Sequence, residues 1–181
     1  ELLKDYSITA VYTNHDYEPY ARKRDEEMQA FFEKHKIAFH TFKDQVIFEK
    51  EEVLKDDGKP YTVYTPYSRK WMAKLNAFYL SSYPTEKYYN RFYQQSTRAV
   101  PTLKALGFCP TQATFPPAKT SEQLIRNYAD TRDIPGIEGT SKLGLHLRFG
   151  TISIRKAARR AKDLSFSWLN ELCWREFYMM I

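Results

Sequence analysis

Cysteine is scarce in this chain. Cys109 and Cys173 are the only two, too few for a disulfide-dense scaffold and not spaced as a CxxC metal pair. The four histidines stand apart and make neither an HExxH nor an HxH site. There is no GxSxG elbow, and no Cys–His spacing marks a nucleophile. No apolar run approaches the ~20 residues that a membrane span needs. The first residues, Glu1-Leu2-Leu3-Lys4, show no initiator Met and no signal-peptide pattern, so a cytoplasmic protein without membrane contact is expected. That start, and a last residue that falls inside the helical pattern Tyr178-Met179-Met180-Ile181, read as cut ends of a larger protein. No internal repeat is visible. Charge of one sign is only mildly in excess: 28 Lys+Arg against 22 Asp+Glu leave +6. This fits an anionic partner such as nucleic acid, and solubility alone accounts for it equally well.

What is present is core-forming material. Hydrophobic residues are 43% and aromatics 16% of 181 residues, which excludes a disordered or collagen-like chain. The length allows one full domain or two partial ones.

Residues 7–13, Ser-Ile-Thr-Ala-Val-Tyr-Thr, read as a strand, with Asn14-His15-Asp16 as the loop after it. A helix over about 18–36 follows, with Pro19 in its first turn and Ala21, Met28, Phe31, Phe32 and His35 near helical spacing. Residues 37–42 read as a second strand, so a βαβ unit with a parallel sheet is expected. A turn at 56–60 leads to a short helix carrying Trp71 and Leu75. Five prolines interrupt residues 81–119, which read as an interdomain linker between an α/β part (1–80) and a helical part (120–181). In the latter, helices are expected over 120–130, 141–148, 152–162 and 166–181. The fold class is therefore α/β with a parallel-sheet remnant, followed by an all-α part.

Three stretches could carry chemistry. In Gly136-Ile137-Glu138-Gly139-Thr140-Ser141-Lys142-Leu143-Gly144, two glycines free the backbone and Thr140 or Ser141 can cap a new helix. Free N–H groups there, beside hydroxyls and an ammonium, suit a phosphate; an ordinary loop and cap needs no ligand. On the last helix, at 100° per residue, Trp168, Glu171, Trp174, Arg175 and Tyr178 share an arc of roughly 120°. Leu169, Leu172, Cys173, Met179 and Met180 occupy the other side. Indoles beside a carboxylate and a guanidinium suit a flat heterocycle or an unstacked base; a Glu171–Arg175 pair over core indoles is the plain alternative. The basic cluster Arg155, Lys156, Arg159, Arg160 and Lys162 is either a phosphate-backbone contact or a solvated face. His146 and the cysteines read as structural.

Taken together, these segments resemble the DNA photolyase/cryptochrome family. The resemblance is carried by Tyr128-Ala-Asp-Thr-Arg132-Asp133-Ile-Pro135, Gly139-Thr140-Ser141-Lys142-Leu143-Gly144, His146-Leu147-Arg148-Phe149-Gly150 and, most strongly, Trp168-Leu169-Asn170-Glu171-Leu172-Cys173-Trp174-Arg175-Glu176-Phe177-Tyr178. Asn14-His15-Asp16-Tyr17-Glu18-Pro19-Tyr20 and Tyr64-Thr65-Pro66-Tyr67 resemble the family's α/β domain. The resemblance implies a cyclobutane pyrimidine dimer photolyase: a DNA-repair lyase that works as a monomer on ultraviolet-damaged DNA. FAD would be held by Tyr128, Thr140, Ser141, Lys142, Leu143 and Gly144, with Trp168 and Arg175 lining the flavin pocket. Arg132 would touch a DNA phosphate. Glu171 and Trp174 would meet the flipped-out dimer, the indole stacking and the carboxyl bonding the thymine edge. Light-driven electron donation from reduced FAD would split the dimer. Lys142 stands where the family more usually has Arg and lacks its bidentate fork. Tyr20 and Ala21 stand where folate-binding members often place Asn-Glu, which speaks against that type of antenna and leaves the antenna chromophore open. A blue-light receptor of the cryptochrome kind, binding FAD without repair, is the alternative; repair of the 6-4 lesion and a flavin-free nucleic-acid-binding protein are lesser ones.

Overall fold

The computed structural model describes residues 2–181; Glu1, at the head of the expected α/β part, lies outside the described residues. A short helix α1 (Leu2–Asp5) precedes strand β1 (Ala10–Asn14), helix α2 (Pro19–Lys34) and strand β2 (Ala38–Phe42). The strands pair in parallel with Ala10 opposite Ala38 and Asn14 opposite Phe42, so the expected βαβ unit is present. Its strands start later than periodicity indicated, because the ladder closes only where Ala38 N donates to the Thr9 carbonyl at 3.2 Å.

Proline at the start of α2 suits a position whose N–H needs no partner. The helix ends in a left-handed turn at Lys36, φ 57°. Lys36 N donates to Glu33 O at 3.0 Å and Ile37 N to Phe32 O at 2.9 Å, which satisfies the last carbonyls and turns the chain into β2. Phe32 stacks on Phe39 at 5.5 Å and fixes the helix on one face of the sheet. The other face carries Tyr12 over His40 at 4.9 Å, open to solvent.

Helix α3 (Tyr64–Lys74) is followed by residues 81–119, which hold one 3-10 turn (Thr85–Arg91) and are otherwise irregular and exposed almost throughout. Then come α4 (Glu122–Arg126), α5 (Tyr128–Thr131), α6 (Gly144–Arg148), α7 (Ile154–Leu164) and α8 (Phe166–Met180). Ser121, Ser153 and Ser165 cap α4, α7 and α8 by accepting from the N–H three residues on. The expected helix over 141–148 begins only at Gly144, because Lys142 sits at φ 51° and breaks the helical run before it. Thr140 and Ser141 are therefore not its cap; Leu143 occupies that place and makes no side-chain cap bond.

One core joins both halves of the chain. Phe48, Tyr67, Trp71 and Leu80 pack with Ile125, Leu147, Ala158 and the buried side of α8. The alanines of α7 let α8 approach closely. Each large apolar side chain that α8 buries, Trp168, Leu169, Leu172 and Phe177, contributes roughly 1.5–3 kcal/mol.

Candidate functional site

The half-exposed side of α8 meets α5. Glu171 pairs with Arg132, whose guanidinium also reaches Asp133 at 3.3 Å and lies 5.8 Å from the centre of the Tyr128 ring. Trp174, one turn further along α8, is stacked on Tyr64 with ring centres 3.4 Å apart and planes 8° apart. Its own helix adds Tyr178, offset at 5.5 Å, and Phe177, edge-on at 5.8 Å. Tyr128, Arg132, Glu171 and Trp174 thus come together at one surface. An indole there adjoins a carboxylate that is already hydrogen-bonded to a guanidinium.

The alternative in which Glu171 pairs along the helix with Arg175 does not hold. Arg175 turns away and donates to the carbonyls of Gln45 at 2.8 Å and Leu147 at 3.2 Å. A guanidinium's fork can serve both carbonyls at once. Burial also holds the Arg175 pKa below its usual value. Trp168 is 4% exposed and belongs to the core.

A cleft of about 480 Å³ lies at the start of the helical part, lined by Lys119, Thr120, Ser121, Glu138, Thr140, Ser141 and Lys142 among others. Tyr128, Trp168, Glu171, Trp174 and Arg175 are not in its lining. Gly139 makes this loop possible: a Cβ there would fall on the Thr131 carbonyl group, 2.8 Å from its carbon. The Thr120 hydroxyl is buried without a partner. Two ammonium groups and five hydroxyls, that of Thr120 without a partner, fit an anionic ligand such as a pyrophosphate; Glu138, paired with Lys142, is the one opposing charge of the lining. Leu143 is buried and Gly144 opens α6. Of the basic cluster, Arg155 leaves the surface to pair with Asp44 at 3.4 Å and lie over Tyr83.

Sequence reasoning passed over Glu176. Its carboxylate, 1% exposed, accepts from Ile47 N at 2.6 Å, Phe48 N at 2.7 Å and Trp71 Nε1 at 2.6 Å. It fastens α8 to residues 47–48 and to α3. Burial pushes its pKa up to about 7 against the pull of those donors. The signal was legible: Glu176 falls between Leu172 and Cys173 on the apolar arc, and a carboxylate there must find donors. The Cys173 thiol, pushed up to about 12 by burial, is structural. A second cleft, about 540 Å³, opens at the C-terminal ends of the strands between His15, Asp16, Asp25, Glu26, Lys50 and Met180.

A parallel α/β unit joined to a helical part, with an aromatic and ionic surface on its last helix, defines the class: an α/β–helical protein. A family model described as DNA photolyase matches residues 1–87. A deoxyribodipyrimidine photo-lyase of Synechococcus sp. (strain ATCC 27144 / PCC 6301 / SAUG 1402/1) is 33% identical over 98% of this chain, and one from Halobacterium salinarum is 32% identical over the same share. An uncharacterised 31.6 kDa protein of Synechococcus sp. (strain PCC 6716) is 31% identical, covering 98% of this chain and 70% of its own length. The crystal structure of a bacterial class III photolyase from Agrobacterium tumefaciens superposes with a TM-score of 0.74 at 19% identity, over 98% of this chain and 41% of that one. The chain belongs to the DNA photolyase family. It spans 42% of the length of the two photo-lyases named above.

Proposed function

We propose that the full-length protein is a deoxyribodipyrimidine photolyase that splits cyclobutane pyrimidine dimers in ultraviolet-damaged DNA. The observation that carries this is the Tyr128–Arg132–Glu171–Trp174 surface, in a chain whose relatives bear that name. Trp174 offers a stacking plane to an extruded base, and base–aromatic stacking supplies sequence-tolerant affinity. Glu171 accepts from a thymine edge. Arg132 contacts a phosphate. In the free protein Arg132 and Glu171 neutralise each other, so DNA binding exchanges the carboxylate for a phosphate at Arg132 and releases Glu171 to the base.

FAD is the cofactor of this reading. Thr140, Ser141 and Lys142, with the backbone of Leu143 and Gly144, hold its phosphates, and Thr120 offers the unpartnered hydroxyl of the same cleft. Tyr128, Trp168 and Arg175 lie outside the lining of this cleft; in this reading they serve the flavin end of the ligand, Arg175 indirectly, by holding the carbonyls of Gln45 and Leu147. Reduced FAD, when bound, supplies on absorbing light the electron that opens the cyclobutane ring. Residues 1–80 form the α/β domain, 81–119 the connection and 120–181 the first part of the helical domain. The enzyme works as a monomer in the cytoplasm, and no helix among the described residues is long and apolar enough to cross a membrane.

The test is illumination of a dimer-containing oligonucleotide with the full-length protein. Restored thymines in the light and none in the dark are expected. A flavin-bearing protein that leaves the dimers intact overturns repair and points to a light receptor; a colourless protein overturns the cofactor assignment.

A further inference from the structure

Trp174 is not held by its own helix alone. Tyr64, the first residue of α3, lies parallel to the indole at 3.4 Å. The same phenol donates to the Asn170 side-chain oxygen at 2.6 Å and to the Asn170 carbonyl at 3.1 Å. Asn170 is one turn before Trp174, so Tyr64 is bolted by its hydroxyl to the helix on which its ring stacks. Phe177 closes the arrangement, edge-on to Tyr64 at 5.6 Å and to Trp174 at 5.8 Å. Burial raises the Tyr64 pKa far above that of an ordinary phenol, which keeps the hydroxyl a neutral donor. One face of the indole is therefore stacked against a ring whose hydroxyl, its one proton shared between the two Asn170 oxygens, is tied to the same helix. Tyr178, itself exposed, lies nearly parallel to the indole at 5.5 Å.

We propose that Tyr64 is a positioning residue for lesion recognition: it fixes the plane of Trp174 before DNA arrives, so that an extruded pyrimidine meets a preset indole platform. This rests on the role assigned to Trp174 above. A platform ordered in advance loses less freedom on binding than a side chain free to change rotamer. Tyr64 itself touches no base; its effect on binding passes through Trp174.

The experiment is a double-mutant cycle in the full-length protein, reading the ratio of affinities for dimer-containing and undamaged duplexes. Tyr64→Leu is expected to lower that preference about two- to tenfold, the span of an aromatic pair, and Tyr64→Phe, which keeps the ring, to retain most of it. In a Trp174→Ala background Tyr64→Leu has no further effect on the preference, although it still lowers the melting temperature. If Tyr64→Leu is as damaging without Trp174 as with it, or leaves the preference at the wild-type value, the positioning role is wrong. If Trp174→Ala alone keeps wild-type preference, the lesion site itself is misassigned, a failure separable from that of Tyr64. Should Tyr64→Leu not fold, Tyr64→Met fills similar space without a flat ring. The near-ultraviolet circular dichroism of the stacked pair, expected in wild type and Tyr64→Phe and lost in Trp174→Ala, then reports the platform directly; its presence unchanged in Tyr64→Met would overturn the proposal.

Discussion

Glu171 and Arg132 hold each other across α8 and α5, while Trp174 is held by rings; removing each has its own signature. Trp174→Ala is expected to weaken binding of dimer-containing DNA about tenfold, as the loss of base stacking implies, with little change for undamaged DNA. Equal losses on both DNAs would make the indole a core residue only. Glu171→Ala should weaken binding less and lower the repair yield per absorbed photon, because a hydrogen bond to the reacting base would be lost; an unchanged yield would remove the carboxyl from the chemistry. Glu176 acts on folding. It titrates near 7 in the folded chain against an ordinary 4.5. Between those values the folded chain holds a proton that the unfolded chain has released, so stability is highest below the lower value and falls as pH rises through the window. Thermal melts between pH 5 and 8 should therefore show a midpoint that declines with pH more steeply in wild type than in Glu176→Gln, which cannot titrate. Parallel slopes would show that another group dominates.

At the scale of elements, the loop between α5 and α6 is the part most sensitive to small changes. Gly139 lies against the Thr131 carbonyl, so Gly139→Ala has to move the loop and should cost about 1–3 kcal/mol, the usual range for overpacking. A shift of the thermal midpoint measures this; an unchanged midpoint would mean that the loop yields freely. The cleft beside it gives a second reading. Replacing Thr140 and Ser141 together by Asp puts two carboxylates where the flavin phosphates are proposed to lie, and the full-length protein should purify colourless while its far-ultraviolet circular dichroism stays that of wild type. Full flavin absorbance in that variant would place the phosphates elsewhere. The last helix was the easiest element to read, since its apolar arc and Ser165 cap both stand in the sequence. The helix over 141–148 was misread at its start, because nothing in Thr-Ser-Lys announces the left-handed Lys142.

Over the whole molecule, charge acts at long range. Arg132→Ala is expected to reduce the slope of log affinity against log salt by about one for damaged and undamaged DNA alike, as a single phosphate contact does; a loss confined to damaged DNA would make Arg132 a base reader. Local patterns determined much of this protein without help. A strand, a Pro-started helix and a second strand specify a parallel unit, and the spacing of Glu171, Trp174 and Arg175 puts them on one side of a helix before any packing is known. What pairs with what was decided by tertiary structure. Glu171 finds Arg132, 39 residues away, and not Arg175; Arg175 is drawn to two backbone carbonyls; Trp168 sinks into the core; Glu176 becomes the hinge pin between α8 and the chain near residue 47. Helical periodicity fixes direction about an axis, but a partner is chosen by which unsatisfied group packing brings within ~3 Å, and that depends on residues more than a hundred positions apart in the chain.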